Sequence, residues 1–273
     1  MNLTIKKWSA LLALGCLCFA ARAGEVIQFA SLDVNHPLKV SGELFLPLNT
    51  SGPVSAMVII HGTGGIDDRT EYFAKELPKR GIAAFVVDYK TGVFRTPTDR
   101  PPNDSFIPAT YAALKLLESR SEIIPEKIGV MGFSLGGQQT MSATLPVFKT
   151  MWIGDSAPGF RLHVAFYPGC KFYARKLDSL TRIAVPIQVF WGTDDAYGDG
   201  EYCPKLKVQL AAISSADLDF VAFEGGHHGF DGYKIGHFTD PAAIKSDGYI
   251  QGNSTFRNQA RQQALEFIEK NMK

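Results

Sequence analysis

The sequence predicts an α/β domain built on a mostly parallel sheet with helices on both faces. Three observations lead there. Strand-like apolar runs alternate with helix-spaced segments along the whole chain after residue 24. Several strand runs, such as 54–60 (VSAMVII), are apolar throughout, as in strands covered on both sides. No repeat, low-complexity tract or charge block interrupts the alternation. The bulk numbers agree: 273 residues, 45% apolar, with 28 Lys+Arg against 27 Asp+Glu. That composition argues against a disordered tail, a collagen or a coiled coil, and a formal charge of +1 gives no basic face for nucleic acid.

The elements follow in order. Residues 25–32 and 39–46 read as strands with alternating faces, followed by 54–60. A helix is expected near 70–79, then Gly81 and the strand 82–88. Ala109, Ala112, Ala113, Leu116 and Leu117 lie near helical spacing and predict a helix over about 106–119. Pro125 introduces the strand 127–133, which runs into a helix from 135 to about 145. Strands at 162–168 and 186–191, a helix over about 204–214 and a strand at 217–223 complete the eight-stranded sheet. Phe256, Ala260, Ala264, Phe267 and Ile268 share one side of a last helix over about 254–271. Stretches 146–161 and 229–253 are expected to be irregular, and long loops in such folds often lie over the site. No linker is long enough for a second domain, so residues 24–273 read as one unit.

The first 23 residues stand apart. Lys6 and Lys7 precede an uncharged apolar run from Trp8 to Ala21, and Ala21-Arg22-Ala23 offers small residues where a signal peptidase reads. A run of 14 residues is short of the roughly 20 that span a bilayer, so a cleaved signal peptide is expected rather than an anchor. The expected mature chain is therefore periplasmic or secreted, with no stable membrane insertion. It has 25 bases against 27 acids and keeps Cys170 and Cys203. In an exported protein that pair is expected to be bridged.

The chemistry centres on Gly132-Phe133-Ser134-Leu135-Gly136-Gly137, a G-x-S-x-G pattern between an apolar strand and a helix. This context puts the serine on a tight turn with its hydroxyl above the carboxyl ends of the strands. The backbone N–H of Leu135, at a helix N-terminus, can then face a developing oxyanion. A nucleophilic serine needs a base, and the base needs an orienting acid. A nucleophile at a strand-to-helix turn is followed in chain order by the acid and then the histidine. The segment Glu224-Gly225-Gly226-His227-His228-Gly229-Phe230 supplies the base, with His228 preferred and His227 the alternative. After the strand 186–191, Gly192-Thr193-Asp194-Asp195 supplies the acid. A G-x-x-D turn selects Asp195 over Asp194, which would serve the turn itself. His61-Gly62-Thr63-Gly64-Gly65 follows the third strand and offers the Thr63 N–H as second oxyanion donor. His227, His228 and His237 lack a recognisable metal-ligand spacing, and the 61–65 loop lacks the lysine of a P-loop. No metal or organic cofactor is expected.

Together, G-F-S-L-G-G at 132–137, G-T-D-D at 192–195 and G-G-H-H-G-F at 225–230 resemble the dienelactone hydrolase family of α/β-hydrolases, over roughly residues 40–270. The resemblance implies an α/β-hydrolase fold without a large cap, acting on esters or lactones of small molecules. It implies Ser134, Asp195 and His228 as triad, with Thr63 and Leu135 as oxyanion hole. Three positions depart from the pattern of dienelactone hydrolases proper. Ser134 stands where they use cysteine, Gly62 where they carry a glutamate, and Gly232 where an arginine holds the substrate carboxylate. These departures look more like a general serine esterase. A non-catalytic binding protein on the same fold, or an acyltransferase or peptidase using the same triad, is the competing reading. Phe94, Trp152, Phe160, Tyr197, Tyr233 and Tyr249 could edge a pocket, and Arg95 could meet an anionic group.

Overall fold

The computed structural model describes residues 24–48, 50–90, 106–175, 177, 183–239, 243, 244 and 248–272. The expectations for residues 1–23, Phe94 and Arg95 fall outside these. Eight strands form one sheet: β1 (Glu25–Ala30), β2 (Lys39–Phe45), β3 (Val54–Ile60), β4 (Ala83–Asp88), β5 (Ile123–Phe133), β6 (His163–Phe166), β7 (Ile187–Gly192) and β8 (Leu218–Phe223). Their spatial order is β1-β2-β4-β3-β5-β6-β7-β8. The pairs β1–β2 and β2–β4 are antiparallel, and all the others are parallel. The chain is thus an eight-stranded α/β-hydrolase fold.

Helices α1 (Asp68–Lys79), α2 (Ile107–Glu118), α3 (Leu135–Ser142), α4 (Pro146–Ile153), α5 (Cys170–Ala174), α6 (Asp199–Ile213) and α7 (Ser254–Met272) flank the sheet. Alternation along β3 shows how two faces are filled. Met57 and Ile59 join Phe73 and Leu77 of α1 and Ala264 and Ile268 of α7 in one core. Val58 and Ile60 point the other way, into a core with Tyr111, Leu114 and Leu117 of α2. Beyond that second core, Val189 and Trp191 of β7 meet Leu206 and Leu210 of α6. Each fully buried aliphatic side chain contributes about 1.5–3 kcal/mol, so these layers hold the strand ends where the site is built.

Several local outcomes differ from the sequence reading: helix α5 is not among the expected elements, and β5 begins at Ile123, which takes Pro125 into the strand. The stretch after Leu145 is helical, with Pro146 at the first position, where its missing N–H costs nothing. Segment 229–253 contains a hairpin of β9 (Ile235–Phe238) and β10 (Gly248–Gln251). Helix α6 starts at Asp199, five residues ahead of Pro204, so the proline lies inside the helix rather than opening it.

Cys170 and Cys203 are joined by a disulfide that ties α5 to α6. His163 in β6 is 1% exposed and packs edge-on against Phe160. Burial pushes its pKa down to about 3. An unfolded histidine titrates near 6.5, so the folded state binds fewer protons between these values. His163 therefore leaves stability intact above about pH 6.5 and removes it as pH falls toward 3. Urea midpoints measured between pH 7 and 4 should fall less steeply for His163→Gln than for the wild type; parallel profiles would contradict this account.

Candidate active site

β5 delivers Ser134 to a turn with φ 55° and ψ −115°, a strained conformation for any residue with a Cβ. Glycines make the turn possible. A Cβ on Gly132 would lie 2.3 Å from the carbonyl oxygen of Gly136, and one on Gly136 would lie 2.2 Å from that of Ile60. The first turn of α3 therefore touches β3 backbone to backbone. The Ser134 N–H donates to Phe166 O of β6 at 3.0 Å, which fixes the turn from the other side.

Two loops at the same sheet end bring partners to the hydroxyl. His228 Nε2 lies 2.8 Å from Ser134 Oγ, and His228 Nδ1 lies 2.8 Å from Asp195 Oδ2. The second oxygen of Asp195 accepts the Tyr197 N–H at 2.7 Å. Asp195 and His228 are buried, whereas Asp194 is exposed and uses its N–H on Gly226 O. The loop ends after β7 and β8 approach so closely that a Cβ on Gly192 would meet Gly226 O at 2.0 Å. Thr63 lies in the Gly62–Gly65 turn and lines the cavity beside Ser134. Leu135 is the first residue of α3, where helix N–H groups have no intrahelical acceptor.

The other histidines lie elsewhere. His61 is buried and stacked on Tyr89, and His36 pairs with Asp33 at the surface. His227 and His237 both pack against Tyr249 of β10. Cys170, Asp199 and Cys203 bring metal-ligand types within 4.8 Å of one another, but both sulfurs are spent in the disulfide.

Sequence reasoning missed several charged groups here. Asp199 is buried, accepts the N–H groups of Gly169 and Cys170, and links the start of α6 to α5. Burial, and then the charge of Asp195, push its carboxyl up to about 7. Arg69 donates through Nη1 to the Tyr167 hydroxyl at 2.8 Å, and that hydroxyl donates to Asp231 Oδ1 at 2.6 Å. Burial works against the Arg69 charge, but Tyr167, Asp67 and Asp231 outweigh it and hold its pKa above the ordinary value. Burial also raises the carboxyl of Asp231. Asp67 caps α1 and binds the Arg69 guanidinium through both oxygens. Asp67 has a local sequence signature as the cap of α1 and pairs with Arg69 two residues on, whereas the contacts of Asp199, Tyr167 and Asp231 join residues far apart in the chain.

A cavity of about 240 Å³ opens beside Ser134 and His228, with Thr63, Arg69, Tyr197 and Tyr233 in its wall. Of the other aromatic residues proposed for the pocket, Phe160 is buried in the core and Trp152 packs half-buried against it. The arrangement sets a serine hydroxyl, a histidine hydrogen-bonded to it and a buried carboxylate behind that histidine at the edge of one cavity.

The profile of the Dienelactone hydrolase family matches residues 40–269. "Putative hydrolase YtaP" of Bacillus subtilis (strain 168) is 26% identical over 141 residues, covering 42% of this chain and 47% of its own length. The chain thus spans less than half of that curated relative. A protein of Bradyrhizobium sp named "Probable 2-oxo-3-(5-oxofuran-2-ylidene)propanoate lactonase" is 20% identical over 221 residues, covering 72% of this chain and 81% of its own. Among solved structures, Thermogutta terrifontis esterase 2 phosphorylated by paraoxon superposes with a TM-score of 0.68 at 15% identity. That match covers 92% of this chain and 95% of the other.

The backbone contact under Ser134 predicts that Gly136→Ala loses about 1–3 kcal/mol of unfolding free energy, read by urea titration. An unchanged midpoint would show that the turn is not tightly packed.

Proposed function

The chain belongs to the dienelactone hydrolase family, and on that premise we propose that it is a serine hydrolase cleaving ester or lactone bonds of small molecules. The observation that carries the reading is the continuous hydrogen-bonded chain Ser134–His228–Asp195, with both links at 2.8 Å. Its order along the sequence and its place above the strand ends support the same reading. The Bradyrhizobium relative, named as a lactonase, supports the inclusion of lactones.

Ser134 Oγ attacks the carbonyl carbon while His228 Nε2 takes its proton. Asp195 holds the imidazole in the tautomer that carries its proton on Nδ1, and stabilises the imidazolium that forms. The N–H groups of Thr63 and Leu135 receive the oxyanion, each such donor being worth about 3 kcal/mol. His228 then protonates the leaving alcohol, or the ring oxygen of an opened lactone, to leave an acyl-enzyme on Ser134. Water, deprotonated by His228, releases the acid. No step requires a metal or an organic cofactor.

Export through residues 1–23 belongs to the same proposal. A disulfide between Cys170 and Cys203 supports it, because such bridges persist in oxidising compartments.

The test is hydrolysis of p-nitrophenyl acetate and butyrate by the purified protein. Ser134→Ala should lose about 10⁴-fold or more in kcat. Asp195→Asn should lose about 10³–10⁴-fold, whereas the exposed Asp194→Asn should stay within about twofold. A wild type no faster than Ser134→Ala would refute the reading, and equal losses at Asp194 and Asp195 would refute the assignment of the acid.

A further inference from the structure

His228 is held by more than its two hydrogen bonds. The ring of Tyr167 stands edge-on to the imidazole with centroids 4.7 Å apart. Tyr167 follows β6 directly, beside the Phe166 carbonyl that accepts the Ser134 N–H, and its own N–H is tied to Phe190 O of β7. Its backbone sits at φ 37°, in the left-handed region that side chains rarely adopt. Its hydroxyl is clamped between Arg69 Nη1 and Asp231 Oδ1. Asp231 lies three residues after His228 on the same loop and is fully buried.

This arrangement is costly as a stabilising device. It buries a carboxylate and strains a tyrosine backbone, and Asp231 Oδ2 has no hydrogen-bond partner among the described residues. What it achieves is a link between three segments that meet at the reaction centre. Arg69 belongs to the first turn of α1, just beyond the turn carrying Thr63. Tyr167 lies just past the end of β6, and Asp231 in the loop of the base.

We propose that the hydrogen-bonded chain Arg69–Tyr167–Asp231 is a positioning device that fixes the His228 imidazole against Ser134. The proposal rests on the reading of Ser134, Asp195 and His228 as the reacting set. Tyr167 and Asp231 are positioning residues: the cavity beside Ser134 is lined by Arg69 but by neither of them. Losing the hydroxyl frees the Tyr167 ring to pivot and removes the donor that anchors the loop of His228. Proton transfer depends on sub-ångström placement of the base, so kcat suffers while substrate binding does not.

The test uses Tyr167→Phe, which keeps the ring, with Asp231→Asn and Asp231→Leu, all assayed on p-nitrophenyl butyrate. Rates are normalised to the fraction of chains that react with a fluorophosphonate at saturation, which removes any misfolded protein from the comparison. Tyr167→Phe and Asp231→Leu should lose about 10- to 100-fold in kcat with KM within about twofold. Asp231→Asn, which keeps an acceptor for the hydroxyl, should lose less than Asp231→Leu. A wild-type kcat in Tyr167→Phe, a loss expressed in KM, or equal losses in the two Asp231 variants would overturn the proposal. A failure of the underlying hydrolase reading is separately visible, because the wild type would then be no faster than Ser134→Ala.

Discussion

The backbone of α3 at Gly136 presses against the backbone of β3 at Ile60, and the site depends on that contact. No side chain fits between them, since even a single Cβ would lie 2.2 Å from the Ile60 oxygen. The approach lets the chain leave β5 and enter α3 within one residue, with Ser134 strained at the bend. It also starts α3 at the sheet end where the turn carrying Thr63 lines the same cavity as Ser134. One close packing contact thus fixes the turn that carries the Ser134 hydroxyl. The sequence meets it with glycine at 132, 136 and 137, each of which a Cβ would force into nearby backbone.

The partners of Ser134 come from loops, and loops need bracing. The loop of Asp195 leads into α6, whose first residue, Asp199, binds two N–H groups at the start of α5, and whose Cys203 is bridged to Cys170. The loop of His228 is held through Asp231 to Tyr167 and Arg69. Both braces use buried carboxyls, and burial raises the pKa of both. Their cost makes sense only where geometry matters more than stability.

Much of the fold was legible because its signals are local. Alternating or apolar runs marked all eight strands, and G-x-S-x-G between a strand and a helix marked the turn at Ser134. The elements that escaped have competing local signals. Pro204 reads as a helix start, although the helix begins five residues earlier at Asp199. The glycines and aspartates of 229–253 read as loop, although a short hairpin forms within it. The pairing of Tyr167 with Asp231 was invisible for a different reason. It spans 64 residues and depends on which side chains the finished sheet brings together. Local patterns report the backbone, whereas long-range polar contacts are decided by topology.

The proposed chemistry makes Ser134 a nucleophile activated by His228. Peptide mapping by mass spectrometry after reaction with a fluorophosphonate at neutral pH tests it most directly. One adduct per chain is expected, on the peptide that contains Ser134, lost in Ser134→Ala and slowed strongly in His228→Ala. An unmodified chain, or an adduct at any other residue that persists in Ser134→Ala, would contradict it.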